Sequence, residues 1–443
     1  MTTPSFNFRL LFIVFALLIM QHVKAQDTGT TYSLTLEEAV KIAKENNDNV
    51  KIAHLKNAVA EDELKEVKSH ALPHIVTQGS GKRLTNVTLY EKGLNNSESL
   101  PPPPSSYQAA LGIETSFNLY SGGRHEAAIK SYETKRKLAD IMTEQQQGSI
   151  GLQVVTHYLE ILRLSELDSL LNEQIIKDQL RLKNINSLYK NGKVTRSDVL
   201  RAEINLSDQE YAKKENESEI AIFHKRLNVL LHLPQETKVV LADTAIVNSI
   251  SLPEEFQESD NKNAYAFRIA DNEVSLQEHE IKAAKGNYYP SVELIAAYGY
   301  NYPNYLRYPY VDQVYAIGFV GFRMQYSLSS LYQNNHKVSA EKNRLEEIKT
   351  QKEATLDNIN LEISSLKIKM DDMKDKIALA KKNIDQSQVN YKIVSAKYFN
   401  QLALLTDLLE ADNLYLQSKY HLIEAKNQLL NYYYQLSFTI GKL

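Results

Sequence analysis

The residues that could support catalysis do not form a recognisable motif. The chain has 11 His and no Cys, so thiolate metal sites and cysteine nucleophiles are impossible. His279 and Glu280 begin a zinc-protease pattern whose second His is missing. The chain has neither a phosphate-binding glycine loop nor a GxSxG nucleophile elbow. We therefore expect no enzymatic activity, no cofactor and no metal.

Two aspartates recur in matching surroundings. Asp198 follows Tyr189 by nine residues, and Asp407 follows Tyr398 at the same spacing. Each comes just after a turn-like segment, which predicts a place in the first helical turn, where the helix dipole favours a carboxylate. Glu410 follows Asp407 by three residues and would share its helix face. A role at the helix start is the simplest interpretation of both aspartates.

The recurrence reflects a duplicated chain. The pattern from Tyr189 to Ala202 returns 209 residues later, from Tyr398 to Ala411. Each copy predicts a short helix, two strands, a very long helix, a tight turn and a returning helix. The repeats span about 34–232 and 262–443, with β-hairpins at 72–120 and 289–327, long helical parts at 124–231 and 331–437, and a connector at 232–263.

Heptad patterns indicate long coiled-coil helices. Arg124–Tyr189 and Leu331–Tyr398 would each be roughly 100 Å long at 1.5 Å per residue, about twice the length of the opening helix Leu36–Ser69 or of the returning helix Ser197–Leu231. Two short helices stacked end to end would therefore match one long helix. Leucine or tyrosine recurs every seven residues from Leu408 to Leu436.

Two segments alternate in the way that membrane strands do. Tyr107–Tyr120 has mostly apolar residues at odd positions, and Ser291–Tyr302 has them at even positions. Gln313–Tyr326 is apolar on both faces, and Leu72–Asn86 is only weakly patterned. Because four strands cannot close a membrane barrel, such strands would have to be shared between chains. A soluble, tyrosine-rich sheet is the alternative. Asn95–Ser106 reads as a long polar loop.

Composition agrees with a mainly helical protein. Gly (15) and Pro (11) are scarce for 443 residues, and a turn-rich all-β protein would need more of both. The net charge of -3 offers no electrostatic attraction for nucleic acid.

The first 25 residues predict an export signal. Arg9 precedes the apolar run Leu10–Met20, which is shorter than a membrane-spanning helix, and Val23 and Ala25 fit a cleavage site. A retained membrane anchor is the alternative. Residues 26–443 would then form the mature chain outside the cytoplasm.

These features together resemble the TolC-like outer-membrane efflux proteins over nearly the whole mature chain. The resemblance is carried by the Leu34–Val40 start, by Phe117–Arg124 with its Gly-Gly-Arg ending, and by Tyr189–Leu200 with its second copy. It implies a long α-helical coiled-coil barrel and four strands per chain, which form a shared 12-stranded barrel in a homotrimer. It also implies a location in the outer membrane, with the helices extending into the periplasm.

The resemblance further implies a passive exit duct for drugs, other small molecules or secreted proteins. Its partners would be a periplasmic adaptor (membrane fusion protein), an inner-membrane pump and outer-membrane lipid. Neither the cargo nor the pump class is predicted.

The two helical turns would form the periplasmic tip. By resemblance, Asp407 and Glu410 would line the aperture, and Tyr398 would reach Asp198 to hold the tip closed. The family's arginine position is Ala403 here, so one closing interaction is missing or replaced. The turn residues expected to contact the adaptor are Gly192, Lys193, Val194, Gln401 and Leu402.

Two other protein classes share some of these features. A periplasmic adaptor also has a coiled-coil hairpin, but it should show one hairpin beside glycine-rich β modules. An extracytoplasmic structural coiled coil would not need alternating strands. Both are therefore less consistent with the sequence than a channel.

Overall fold

The computed structural model describes residues 32–91, 93–242 and 258–443. The predicted export signal at 1–25 lies outside these residues, as does the middle of the predicted connector. No helix in the described part of the chain is long and apolar enough to cross a membrane.

Two very long helices organise the protein. Helix α3 (Arg124–Lys190) turns back into α4 (Arg196–Leu230), and α6 (Ser330–Phe399) turns back into α7 (Leu405–Thr439). Their bounds lie within one or two residues of the sequence prediction. At the turn end, the helices lie side by side in the order α4, α3, α7, α6. Closer to the sheet, α3 and α6 continue and pack against other helices.

The opening segment forms two helices rather than the single predicted helix Leu36–Ser69. Helix α1 (Leu36–Asn46) and helix α2 (Asp48–Ser69) are separated at Asn47. The Asn47 side chain accepts a hydrogen bond from the Asn49 N–H at 2.9 Å and donates to the Leu230 carbonyl at 3.0 Å. Asparagine therefore breaks the helix because its side chain caps α2 and ties the break to the end of α4.

Short helices stack end to end beside the long ones, as expected. The Asn47 contact joins the α1–α2 break to the C-terminus of α4. In the second repeat, α5 (Tyr265–Gly286) meets the end of α7, where the Tyr265 hydroxyl donates to the Leu443 carbonyl at 3.0 Å. A 3₁₀ helix at Glu258–Asn263 precedes α5.

Four strands form one antiparallel sheet. They are β2 (His74–Arg83), β5 (Tyr107–Tyr120), β7 (Ser291–Tyr302) and β8 (Tyr315–Gln325), in the order β2-β5-β7-β8. The bounds of β5 and β7 coincide with the two alternating segments. Leu111 is paired with Tyr300, and Ile113 with Tyr298, so the apolar positions of these two strands share one face.

Part of the segment predicted as a polar loop, Asn95–Ser106, forms one strand of a hairpin. Strands β3 (Val87–Tyr90) and β4 (Ser97–Leu100) pair with each other only, and all their residues are exposed. The connector likewise contributes a strand, β6 (Val239–Leu241), which pairs in parallel with β1 (Tyr32–Leu34). Neither pairing was predicted, because strands of three or four residues carry too little periodicity to recognise.

The main apolar core lies near the middle of α3. Val154, Tyr158 and Ile161 on the predicted heptad seam are fully or almost fully buried. They pack with residues of α1, α4 and α7. The Tyr158 hydroxyl donates to the Leu34 carbonyl at 3.0 Å, which fastens β1 to the long helix. This core positions the two hairpins, whose turns form the candidate site.

Candidate functional site at the tip of the helical hairpins

The two tip turns have the same backbone geometry. In the first, Lys193 N–H donates to the Leu188 carbonyl and Gly192 N–H to the Tyr189 carbonyl. In the second turn, the Leu402 N–H donates to the Lys397 carbonyl and the Gln401 N–H donates to the Tyr398 carbonyl. This is the Schellman ending of a helix. Gly192 has φ 69° and Gln401 has φ 62°, so the second turn adopts the left-handed conformation without a glycine, at a cost of about 1 kcal/mol.

Both recurring aspartates lie at helix starts, as their spacing predicts. The Asp198 carboxylate accepts from the Thr195 N–H at 2.9 Å and from the Thr195 hydroxyl at 2.7 Å. The Asp407 carboxylate accepts from the Leu404 N–H at 3.0 Å. Each carboxylate therefore satisfies donors that the helix itself leaves free.

The remaining tip residues are mostly accessible. Glu410 is exposed one turn after Asp407. Lys193, Gln401 and Leu402 are exposed, and Val194 is half-buried against the tip core.

Tyr398 is buried in an apolar cluster at the tip. Ile185, Val199, Ala202, Leu405 and Leu408 form this tip core with it. Its hydroxyl has no hydrogen-bond partner among the described residues, so the expected bond to Asp198 is not formed in this structure. Asp198 instead uses its carboxylate to cap α4. Burial, and then the nearby negative charge of Asp198, raise the pKa of Tyr398.

A buried ionic cluster lies directly above the tip core. Asp412 of α7 accepts hydrogen bonds from Lys177 and Arg181 of α3, and from Gln174 at 2.7 Å. Arg181 also donates to Asp178 at 2.5 Å. Arg181, Asp178 and Asp412 are each at most 6% exposed. Lys177 is only partly buried and completes the cluster, so two cations balance two anions.

The ionic cluster joins all four helices of the tip. Asn205 of α4 donates to Asp178 at 3.0 Å. The Lys177 ammonium lies 3.7 Å from the ring centroid of Tyr391 on α6. Since Asp412 belongs to the second hairpin and Arg181 to the first, the cluster connects the two hairpins.

The two aspartates of the ionic cluster are shifted in opposite directions. Burial raises the pKa of Asp178, and repulsion from Asp412 adds to that effect against the attraction of Arg181. Burial would also raise the pKa of Asp412, but Arg181 and Lys177 outweigh it and hold the pKa below its ordinary value.

Sequence reasoning missed this cluster, although a signal was present. Gln174, Asp178 and Arg181 continue the heptad seam of α3 beyond Leu171, where apolar residues are expected. Polar residues on a buried seam need partners. Those partners could not be identified without the structure. In the described part of the chain, no group of three or more metal-ligating side chains is assembled.

Comparisons with known proteins agree with this geometry. Residues 39–231 match the sequence model of the outer membrane efflux protein family. No curated protein matches the chain.

Among solved structures, the chain is similar to the outer-membrane protein VceC of Vibrio cholerae, with 16% identity, 92% of this chain and 96% of that chain covered, and a TM-score of 0.76. It is also similar to the CmeC outer-membrane channel of Campylobacter jejuni, with 15% identity, 100% and 94% coverage, and a TM-score of 0.73. It is similar as well to the MtrE outer-membrane channel of Neisseria gonorrhoeae, with 14% identity, 92% of this chain and 88% of that chain covered, and a TM-score of 0.73.

At these identities, the solved structures establish the fold, which is the expected combination of long helices and a small set of strands. The family match covers the first repeat from α1 to the end of α4. Together they bear out the resemblance to TolC-like outer membrane efflux proteins that the sequence motifs indicated: residues 39–231 match the family, and the chain as a whole has the fold of solved outer-membrane channels.

Proposed function

We propose that the protein is one subunit of a homotrimeric exit duct, through which small molecules, drugs or secreted proteins leave the cell. The duct is passive and gated at its periplasmic tip. A periplasmic adaptor and an inner-membrane pump recruit it and supply the energy. The observation that carries this proposal is a sheet with two free edges and one apolar face.

The free edges belong to β2 and β8. Within the described residues, β2 pairs only with β5 and β8 pairs only with β7. Unpaired backbone groups are costly in lipid, so a membrane sheet has to close on itself. Joining β8 of one copy to β2 of the next closes three copies into twelve strands. Twelve strands leave an open lumen, whereas eight would be filled by side chains.

The face that would meet lipid is the apolar one. Val320, Phe322 and Met324 on β8 are 76%, 74% and 68% exposed. Their register partners Ala296, Leu294 and Val292 on β7 are apolar as well. On the opposite face, β5 presents Gln108, Glu114 and Asn118 and β2 presents Gln78 and Lys82. This arrangement suits lipid outside and water inside.

The outer helices also have unpartnered apolar residues. On α6, Leu361, Ile368, Leu379 and Ile393 are exposed. On α2 and α4, at the other side of the subunit, Ile52, Leu55, Val59, Ile204 and Tyr211 are exposed. Contact between α6 of one copy and α2 and α4 of the next would bury both sets. The same rotation that pairs β8 with β2 would thus close the helices into a tunnel.

The tip supplies the gate and the docking surface in this proposal. Three copies of Asp407 and Glu410 surround the aperture. Asp198 supports the closed form by capping the start of α4, and Tyr398 supports it through the packing of its ring in the tip core. The adaptor contacts the turns at Gly192, Lys193, Val194, Gln401 and Leu402. The exposure of most of these residues supports a docking role.

Disulfide trapping tests the trimer directly, because the chain has no cysteine of its own. Thr77→Cys on β2 is combined in turn with Ala316→Cys, Val320→Cys or Phe322→Cys on β8, since the register between chains has to be scanned. Oxidation of membranes should give covalent dimers and trimers for at least one pair. The control is Thr77→Cys with Ala296→Cys on the central strand β7, which should remain monomeric. Monomers throughout the scan, together with a monomeric native mass, would refute the shared barrel.

A further inference from the structure

A polar pocket lies where the sheet meets the long helices. It has a volume of about 440 Å³ and is lined only by polar side chains. These side chains come from the starts of α3 and α6, the end of α5 and the adjacent ends of β7 and β8. We call it the junction pocket. It lies at the opposite end of the long helices from the aperture residues.

The charge of the junction pocket is positive. Arg124 and Lys337 line it, and none of the lining residues is acidic. Arg124 donates through Nε to the Ser121 carbonyl at 2.8 Å and through Nη1 to Asn287 Oδ1 at 3.3 Å. Its Nη2 has no partner among the described residues. Lys337 is exposed, and the nearest acidic group that acts on it is Glu341, which does not line the pocket. The lining therefore carries two cations and no anion of its own.

The Gly-Gly-Arg motif fixes the position of Arg124. Gly122 has φ 67°, and a Cβ there would lie 2.3 Å from the Gly286 carbonyl oxygen. A Cβ on Gly286 would lie 2.5 Å from Cγ of Arg124. Only glycine fits at both positions, and the arginine stem packs directly on the end of α5. The guanidinium is thus set in place before any ligand arrives.

Both long helices begin at this pocket. Helix α3 starts at Arg124 and helix α6 at Ser330, and neither N-cap residue, Gly123 or Ser329, caps its helix with a side chain. The N-terminal ends of helices carry partial positive charge and attract anions. Two such ends reinforce the field of Arg124 and Lys337, and the side-chain amide of Gln333 offers a further donor.

The register of the sheet indicates which side of the sheet the junction pocket faces. Ser291 and Gln325, which line it, are register partners. The next pair, Val292 and Met324, belongs to the apolar face. Since successive residues of a strand point to opposite faces, Ser291 and Gln325 lie on the face that would line the lumen.

We propose that the junction pocket binds a carboxylate or phosphate group of a molecule in transit through the duct. This inference rests on the proposed function, because it takes the polar face as the lumen. The fork of Arg124 suits the planar geometry of a carboxylate and the oxygens of a phosphate. Cargo carrying an anionic group would therefore pause where the helical tunnel enters the barrel.

The test measures citrate binding to the purified full chain in detergent by titration calorimetry. The double variant Arg124→Gln with Lys337→Gln should bind citrate at least tenfold more weakly than the wild type. Lys342→Gln, on an exposed site of the same helix outside the pocket, is the matched control and should bind like the wild type. Unchanged citrate affinity in the double variant overturns the proposal, and so does an equal loss in the control.

A second measurement separates a soluble anion from a lipid headgroup. Native mass spectrometry of the same preparations reports phospholipid that remains bound. Phospholipid retained by the wild type and lost from the double variant would overturn the assignment to cargo. Failure of the proposed function would appear in different measurements, as a monomeric native mass or as the absence of conductance in a bilayer. Citrate binding requires neither a trimer nor conductance, so the two failures can be told apart.

Discussion

Arg181 and Asp412 form a buried ion pair between the two hairpins of one subunit, 231 residues apart in sequence. Asp412 also accepts from Lys177 and Gln174, so its carboxylate is satisfied entirely by the other hairpin. An ion pair that is so fully enclosed is expensive to break from one side, because the remaining charge stays buried. The pair therefore holds the hairpins together close to the tip.

Asp412→Asn should destabilise the purified protein by about 3–5 kcal/mol, because two cations then lose their main partner in a buried site. The measurement is the free energy of unfolding of the helical part in denaturant. The control is Lys419→Gln, which removes the more exposed pair between Lys419 and Glu173 and should cost below about 1 kcal/mol. Equal losses in the two variants would contradict a special role for the ionic cluster.

The two aspartates of the ionic cluster predict opposite responses to acid. The raised pKa of Asp178 means that its stabilising contribution is greatest below the ordinary value of 3.8 and is lost as the pH rises through the higher folded value. The lowered pKa of Asp412 means that its contribution is present above 3.8 and is lost as the pH falls through the lower folded value. Between neutrality and pH 4, Asp178 should therefore protonate first.

The melting temperature of Asp178→Asn measures this order. The melting temperature of the variant, relative to that of the wild type, should be highest at pH 7. This advantage should shrink as the pH approaches 4, because the wild-type Asp178 carboxyl is then protonated and as neutral as the asparagine. For Asp412→Asn, the loss of melting temperature relative to the wild type should persist at pH 4.5 and should shrink only below pH 3.8. Parallel curves for all three proteins would show that neither group titrates as described.

Tyr398→Phe should stabilise the tip by about 1 kcal/mol, since it removes a buried hydroxyl that has no partner. It should leave the open fraction of the channel unchanged, which is contrary to what a Tyr398–Asp198 hydrogen bond would predict. The matched control is Tyr158→Phe, which deletes a hydroxyl that bonds the Leu34 carbonyl and should destabilise by a similar amount. Greater opening of the Tyr398→Phe channel would restore the hydrogen-bond gate.

Neutralising the aperture tests its selectivity. Asp407→Asn with Glu410→Gln should reduce the preference for cations in bilayer recordings and weaken block by multivalent cations, because the proposed trimer would lose six carboxylates from its aperture. Asparagine still accepts the Leu404 N–H, so the start of α7 should be preserved. Glu203→Gln with Asp208→Asn changes the charge equally on α4 and serves as control. Unchanged selectivity would leave Asp407 with its capping role alone.

The β3–β4 hairpin should face the cell exterior. Helices α1 and α2 precede β2, so β2 runs outward and the segment after it emerges outside. An epitope tag inserted after Asn96, in the exposed turn of this hairpin, should be reached by antibody on intact cells. A tag after Asn191 should be reached only once the outer membrane is permeabilised. The reverse labelling pattern would invert the topology.

Periodicity was sufficient to predict most of the fold. Strands β5 and β7 end where their alternation ends, and α3 begins at Arg124 after Gly122 and Gly123. Such features are local, so the sequence alone reveals them. The helix break at Asn47 was not predictable in the same way, since it depends on a contact with Leu230, far along the chain.

The candidate site shows the same limit. Asp198 and Asp407 were recognised because their capping partners are three residues away. The partners of Asp412 lie on another hairpin, and the orphaned hydroxyl of Tyr398 depends on what packs around it. The left-handed Gln401 also escaped prediction, because the backbone hydrogen bonds of the turn impose a conformation that the side chain does not favour.

Because α3 and α6 are long and unbroken, a small rotation at one end of either helix produces a large displacement at the other end. Each is about 100 Å long at 1.5 Å per residue, and each is rooted at the sheet. A rotation of about 3° at the root would sweep the far end through about 5 Å, roughly the pitch of one helical turn. The shorter helices beside them meet end to end near the middle, α2 with α4 at Asn47 and α5 with α7 near Tyr265. Bending would concentrate at these two breaks, so each hairpin can pivot at the middle of its long helix as well as at its root.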